Sequence, residues 1–364
     1  MIALLSLLIW LYLCFGHGRF WQSAPQLPAG APAEPPDVDI IVPARDEALT
    51  IGPVIRSLLA QEYAGTLRVI LVDDNSTDGT AAVAGTAPRL TVIRLQTKPA
   101  DWSGKMWALS QGIAAGRSPL LLFTDADIVH DPRHLSSLTA KLLQSRLDLV
   151  SEMVKLNCTS MAEHALVPAF VYFFQMLYPF SRVNDPRSRV AAAAGGTVLI
   201  RRDALQRIGG IEAIKGSLID DVALAAAVKK SGSIFLGHSG FATSIRPYPH
   251  IADLWQMISR TAFTQLRYSA VLLALTLLAM SAVWLVPVAA MVFGRGWQWI
   301  CGLLACLLAA ASYQPTLARY GRNPLWSLAL PLIALFYMAA TVASAVNHWR
   351  GRGARWKNRA YGSG

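Results

Sequence analysis

Charge is scarce in this chain: Lys, Arg, Asp and Glu make up 15% of 364 residues, against 54% hydrophobic residues. A wholly soluble protein rarely shows that balance, so membrane segments are expected beside one sizeable folded domain. Cysteine is nearly absent. Of four, Cys14, Cys301 and Cys306 lie in apolar runs and only Cys158 belongs to the polar body. That excludes a disulfide framework and a cysteine zinc site, and permits a reduced cytoplasmic setting. The first 16 residues hold no charged side chain, and His17 and Arg19 follow. The positive leader of a secretory signal is therefore missing, and an uncleaved anchor is the reading, short though it is for a span of roughly 20 residues. No stretch interleaves basic and aromatic residues as a base-stacking surface requires. The formal net charge of +11 owes five charges to Arg350, Arg352, Arg355, Lys357 and Arg359, beside an apolar segment. Such a block suits anionic lipid head groups and argues against nucleic acid as a partner.

What the chain does have is a set of carboxylates placed after short apolar runs: Asp73, Asp74, Asp78, Asp125 and Asp127, with the pair Asp220 and Asp221 further on. Carboxylates are costly to bury alone, so their clustering argues for a site built around a metal ion and a phosphorylated ligand.

Segments 38–42, 68–72, 90–95 and 120–124 read as buried strands, and 50–61, 77–87 and 105–115 as the helices between them. The β-α-β-α alternation predicts an α/β fold with a mostly parallel sheet, whose ligands sit beyond the carboxyl ends of the strands. Flanking this catalytic domain, taken as 38–250, are an anchor at 1–18, a Pro- and Ala-rich linker at 19–37, an amphipathic interfacial helix at 251–268, an apolar region at 269–348 and a basic tail at 349–364. The uncharged, aromatic-rich stretch 165–181 reads as a helix buried under the sheet or lying at a membrane interface. The segment 251–268 sets Trp and Arg at a water-lipid boundary or packs into a core. Stretches 268–294, 296–318 and 323–347 are each long enough to cross a bilayer. Three crossings would put the basic tail opposite a cytoplasmic body, against the positive-inside rule, so 296–318, which carries Pro315, is the candidate for a re-entrant or interfacial segment.

The run Asp73-Asp74-Asn75-Ser76-Thr77-Asp78-Gly79-Thr80 follows a strand and leads into a helix. Its carboxylates can accept from a nucleoside's base NH or ribose hydroxyls, while Ser76, Thr77 or Asp78 caps the helix. A plain acidic turn explains Asp78 but not the adjacent Asp73 and Asp74. In Asp125-Ala126-Asp127 two carboxylates one residue apart can reach a common divalent cation, and through it a diphosphate.

Together with Pro43-Ala44-Arg45-Asp46-Glu47, Gly104-Lys105, Ala108-Leu109, Gly195-Gly196 and Asp220-Asp221, these motifs give residues 38 to about 267 a resemblance to family-2 inverting glycosyltransferases. The anchor before the domain and the apolar segments after it resemble the ceramide glucosyltransferase-like branch. Trp102 to Leu109 and Arg260 to Tyr268 are similar to its hopene-associated, hopanoid-biosynthesis members.

The resemblance implies a GT-A fold, Rossmann-like with a mostly parallel sheet, in a multi-pass protein of the cytoplasmic membrane with its catalytic domain facing the cytoplasm. It implies that Glu47, Asp73 and Asp74 contact a uridine and that Lys105 approaches the nucleotide. Asp125 and Asp127 would hold Mg2+ or Mn2+, and Gly195 and Gly196 would let the backbone approach the donor sugar. Asp221 would be the catalytic base beside Asp220, which stands where a Glu is common. Each has a plainer alternative: Lys105 as a solvated helix start, the glycines as a turn, the Asp pair as caps of a helix over 222–230. Arg260 and Arg267 are candidates for the diphosphate, but neither stretch completes the Gln-x-x-Arg-Trp motif of processive members. The expectation is a single transfer from a nucleotide-sugar, with UDP as its nucleotide, to a lipid hydroxyl such as a hopanoid's. The rivals are a processive polysaccharide synthase, a nucleotidyltransferase and a non-catalytic membrane scaffold.

Overall fold

Four runs of Val, Ile and Leu form adjacent strands; those over 38–44, 67–73 and 120–124 are buried on both faces of the sheet, as continuous apolar runs should be, and the one over 90–94 lies at its edge. The structure, a computed structural model, describes residues 1–23 and 25–351, with the backbone of two short strands, Arg355–Trp356 and Arg359–Ala360. Arg352 and Lys357, and the side chains of Arg355 and Arg359, lie outside the described residues, and with them most of the basic tail.

The chain divides into two units. Among the described residues, one comprises 25–157 and 182–246; the other comprises 1–23, 158–181 and 247–351.

The first unit holds an eight-stranded sheet. Its strands are β1 (Val38–Ala44), β2 (Leu67–Asp73), β3 (Leu90–Arg94), β4 (Leu120–Thr124), β5 (Ile128–His130), β6 (Leu149–Lys155), β7 (Thr197–Arg201) and β8 (Ile234–Ser244), in the order β3-β2-β1-β4-β7-β6-β8-β5. Neighbours from β3 to β4 are parallel, β7 is antiparallel to β4 and β6, β8 is parallel to β6, and β5 is antiparallel to β8. Every residue of β1 and β4 is buried. The helix Gly104–Ala115, started by Ser103, whose Oγ accepts from the Met106 amide at 3.2 Å, packs so closely that a Cβ on Gly112 would lie 2.4 Å from Ile41 Cγ2.

Two expectations change here. The helix expected over 77–87 shrinks to Thr80–Ala84, because Asp78 spends its carboxylate on the backbone amides of Thr80 and Ala48, each at 2.9 Å. The stretch read as a linker enters the fold: Leu27 is buried, its amide donates to the His238 carbonyl at 3.2 Å, and Gln26 bridges His238 of β8.

The other unit is helical. Ala270–Phe293, Trp297–Arg319 and Pro324–Trp349 are long and apolar enough to cross a membrane; Ile2–Gly16 and Met161–Leu177 are shorter apolar helices. Trp297–Arg319 runs unbroken through Pro315. Residues 158–181, expected within the catalytic domain, belong to this unit. There Tyr172 and Ser312 share a hydroxyl-hydroxyl bond of 2.7 Å, and a Ser160–Glu163 capping box starts the helix. The amphipathic helix spans Ile251–Gln265, with Leu254, Ile258 and Phe263 buried and Arg260 exposed.

Candidate active site

Parallel strands deliver their carboxyl ends to one edge of a sheet. On this sheet β1 leads into Arg45, Asp46 and Glu47, β2 ends on Asp73 with Asp74 next, and β4 leads into Asp125. The antiparallel register of β4 with β7 sets Thr124 opposite Thr197, so Gly195 and Gly196 arrive beside Asp125. The β5–β8 register sets Ile128 opposite Ser244, and the Ile245 amide donates to the Asp127 carbonyl at 2.8 Å, which brings Arg246 to Asp127.

Two cations join these loops. Lys105 Nζ lies 2.9 Å from Asp125 Oδ1 and 3.2 Å from Asp220 Oδ2. Arg246 Nε lies 3.0 Å from Asp127 Oδ2, and its Nη2 lies 2.5 Å from Glu47 Oε1. The turns after β1 and β2 are stitched together: the Glu47 amide donates to Thr80 Oγ1 at 2.8 Å, the Asp46 amide to Ser76 Oγ at 2.9 Å, and the Thr77 amide to Asp46 Oδ1 at 2.8 Å. Asp46 and Asn75 adopt left-handed backbone conformations, with φ of 50° and 55°. Arg45 Nη1 donates to the Asp74 carbonyl at 2.5 Å and sits 3.6 Å from its carboxylate. Asp73 Oδ1 accepts from the Ser76 amide at 3.0 Å.

Asp220 and Asp221 open the helix Asp220–Lys229. Asp221 lies inside the helix rather than capping it; its Oδ1 accepts from the Val222 amide at 2.8 Å and its Oδ2 from the Gly195 amide at 2.7 Å. A Cβ on Gly195 would meet Asp221 Oδ2 at 3.2 Å and Lys105 Nζ at 3.3 Å, so the close approach there suits glycine. Gly196 packs against Val154 instead. Burial, then the charge of Asp220, push Asp221 up to about 7, with Lys105 and the two amides opposing. Lys105 is held well above the usual amine range: burial alone would lower it, but Asp125, Asp220 and Asp221 outweigh that. Burial also raises Asp127, against the pull of Arg246.

The carboxylates Asp125 and Asp127 suit a hard cation such as Mg2+ or Mn2+, which prefers oxygen ligands. Each is paired now with a cationic side chain, the charge a metal would replace. Among the described residues no group of three or more His, Cys, Asp or Glu stands ready to hold a metal. Two carboxylates are nevertheless the usual protein share where substrate phosphates supply further ligands.

Residues 39–209 match the family model described as Glycosyl transferase family 2. Inside that span lie Glu47, Asp73, Asp74, Lys105, Asp125, Asp127, Gly195 and Gly196; Asp220, Asp221, Arg246, Arg260 and Arg267 fall beyond it. The 4,4'-diaponeurosporenoate glycosyltransferase of Staphylococcus aureus strain MRSA252 is 25% identical over 211 residues, 56% of this chain and 54% of that protein. Its counterpart in strain USA300 is 26% identical with the same coverage. The chain thus spans about half the length of the curated relatives it matches. A mannosyltransferase of Pyrobaculum calidifontis, solved in complex with GDP-Man and Mn2+, superposes with a TM-score of 0.57 at 19% identity, covering 96% of this chain and 99% of that one. That likeness shows the fold, which is GT-A.

Two predicted residues, Arg260 and Arg267, are carried by the helical unit, both exposed, the latter in a left-handed turn with φ of 51°. Sequence reasoning missed Arg246, and the signal was faint: a lone Arg two residues past a long strand, in Thr-Ser-Ile-Arg-Pro.

Proposed function

We propose that this protein is a membrane-bound inverting glycosyltransferase that moves one sugar from a nucleotide-sugar to the hydroxyl of a lipid. The observation that carries this reading is the pair of cationic bridges, Lys105 between Asp125 and Asp220 and Arg246 between Asp127 and Glu47, which gather carboxylates from separate loops at one edge of a GT-A sheet. Glu47, Asp73 and Asp74 receive the nucleoside, and Gly195 lines the path of the donor sugar. Asp125 and Asp127 would hold Mg2+ or Mn2+, which would supply positive charge to the departing diphosphate. Asp221 takes the acceptor's proton as its oxygen bonds to the anomeric carbon, while the bond from that carbon to the phosphate oxygen breaks and the nucleoside diphosphate leaves. One base on the acceptor side suffices for inversion. A carboxyl poised near neutrality suits a hydroxyl acceptor, whose proton must be removed.

The lipid acceptor is supported by three helices able to cross a membrane and by relatives named for glycosylating diaponeurosporenoate. A site in such a protein meets an amphiphile already oriented at a bilayer. The hopene-associated resemblance makes a hopanoid the first acceptor to try, and a UDP-sugar the first donor. The incomplete Gln-x-x-Arg-Trp motif favours a single addition over a polymer.

Purified protein in lipid vesicles is incubated with a panel of UDP- and GDP-sugars and either cation, with candidate lipids present, and products are identified by mass. One glycolipid carrying one added sugar is expected. Polymer, pyrophosphate release from a nucleoside triphosphate, or no turnover with any donor would overturn the reading.

A further inference from the structure

Behind the site runs a buried polar chain that the transfer reaction as described does not use. Thr124, His130, His134, Glu152 and Ser239 are all at most 3% exposed. Thr124 Oγ1 donates to the Gly196 carbonyl at 2.9 Å and lies 3.0 Å from His130 Nε2. His130 Nδ1 faces His134 Nδ1 at 2.7 Å, and His134 Nε2 faces Glu152 Oε2 at 2.6 Å. Ser239, whose Oγ accepts from the amides of Phe241 and Ala242, donates to the same Glu152 oxygen at 3.0 Å.

With the Thr124 hydroxyl proton on the Gly196 carbonyl, the donors in this chain run in one direction. Thr124 has a single hydroxyl proton and gives it to Gly196, so His130 Nε2 must carry a proton and donate to Thr124. Burial and the neighbouring His134 push His130 well below the usual imidazole range, so it is neutral and its Nδ1 accepts. His134 Nδ1 then donates, and one further proton lies between His134 Nε2 and Glu152.

The chain ends where the site begins. The bond between Thr124 and His130 closes the neck of the loop that carries Asp125 and Asp127. The bond from Thr124 to Gly196, with a second from Thr197 Oγ1 at 2.8 Å, fixes one end of the Gly195–Gly196 turn. Ser151 fixes the other, its Oγ donating to the Ala194 carbonyl at 3.1 Å. Two glycines have little of their own to hold a conformation.

We propose that His130, braced by His134 and Glu152, is a positioning residue: it orients the Thr124 hydroxyl, which holds the Asp125–Asp127 loop and the turn whose Gly195 amide aims Asp221. This rests on the functional reading above. Substitutions at the two ring-nitrogen positions separate positioning from packing. His130→Asn keeps an acceptor near Nδ1 and loses the donor to Thr124; His130→Gln keeps a donor near Nε2.

The test compares wild type, both His130 variants, Thr124→Val and the double variant His130→Asn/Thr124→Val in lipid nanodiscs. His130→Asn and Thr124→Val should each lower kcat about tenfold, the worth of one oriented hydrogen bond, with donor KM within about twofold. His130→Gln should recover to within about threefold of wild type, and the double variant should be no worse than Thr124→Val alone. Histidine 15N spectra of the wild type, which need no turnover, should show His130 protonated at Nε2 and bare at Nδ1. Full activity in His130→Asn, equal loss in His130→Gln, or multiplying losses in the double variant would overturn the proposal. A wild type that transfers no sugar would overturn the functional reading, whereas a spectrum with His130 protonated at Nδ1 overturns the hydrogen-bond chain by itself.

Discussion

Gly195 and Asp221 are joined across 26 residues of sequence by one hydrogen bond: the glycine amide donates to Oδ2 at 2.7 Å. A methyl group on that glycine would press on the same oxygen at 3.2 Å and on Lys105 Nζ at 3.3 Å. Gly195→Ala should therefore cost activity far more than stability. Shifting a base by a few tenths of an ångström is expected to lower kcat by about tenfold to a hundredfold. The melting temperature should stay within a few degrees, because an added methyl also restricts the unfolded chain. Steady-state kinetics beside a thermal melt checks both.

Asp221 should set the acid limb of the pH profile. With its carboxyl near 7, the base is lost by protonation as pH falls through neutrality, and kcat falls with it. Stability moves the other way. The folded carboxyl binds its proton more tightly than the unfolded one, so between about pH 4 and 7 the folded state holds more protons and stability drops as pH rises. Asp221→Asn keeps an acceptor for the Gly195 amide, should abolish transfer with nucleotide binding nearly intact, and should remove that contribution to the pH slope in denaturant melts. Retained turnover would take Asp221 out of its role.

Lys105→Met should move the same limb upward. The lysine charge holds Asp221 down and neutralises Asp125 and Asp220, so its loss leaves three carboxylates facing one another. Because Asp125 is partly exposed, the expected stability loss is only about 1–2 kcal/mol. The kcat pH profile is the measurement, and an unmoved limb would separate Lys105 from the base.

How much of this was legible in the sequence follows from the range of the interactions involved. β1, β2 and β4 were readable because parallel strands buried on both faces are continuous apolar runs, and β4 appears with the bounds expected. β5 has three residues, and β8 owes its place to pairings with β5 and β6 that no local pattern announces. The acidic motifs were visible as motifs; the cation that joins Asp127 to Glu47 was not, since Arg246 stands 119 residues from Asp127 and 199 from Glu47. His130 and His134 stand far in sequence from Glu152, and only the pairing of β8 with both β5 and β6 collects them. Ser76, Thr77 and Asp78 looked like helix caps; the side chains of Ser76 and Thr77 tie two turns together instead, and Asp78 does both, accepting from the Thr80 amide that opens the helix and from Ala48.

Arg246 offers the most direct check on the metal. It neutralises Asp127 and Glu47, so Arg246→Ala leaves two carboxylates, both at most 8% exposed, without their shared counter-charge. Without divalent cation the variant should be less stable than wild type by about 2–3 kcal/mol, the cost of stripping a partner from a mostly buried pair. A cation bound at Asp127 would restore part of that loss, because a ligand held by the folded state alone stabilises it by mass action. The rise in melting temperature on adding Mn2+ should therefore be larger in Arg246→Ala than in wild type, and Asp127→Asn in the same background should cancel the difference. An equal rise in both proteins, or one that survives Asp127→Asn, would place the cation elsewhere.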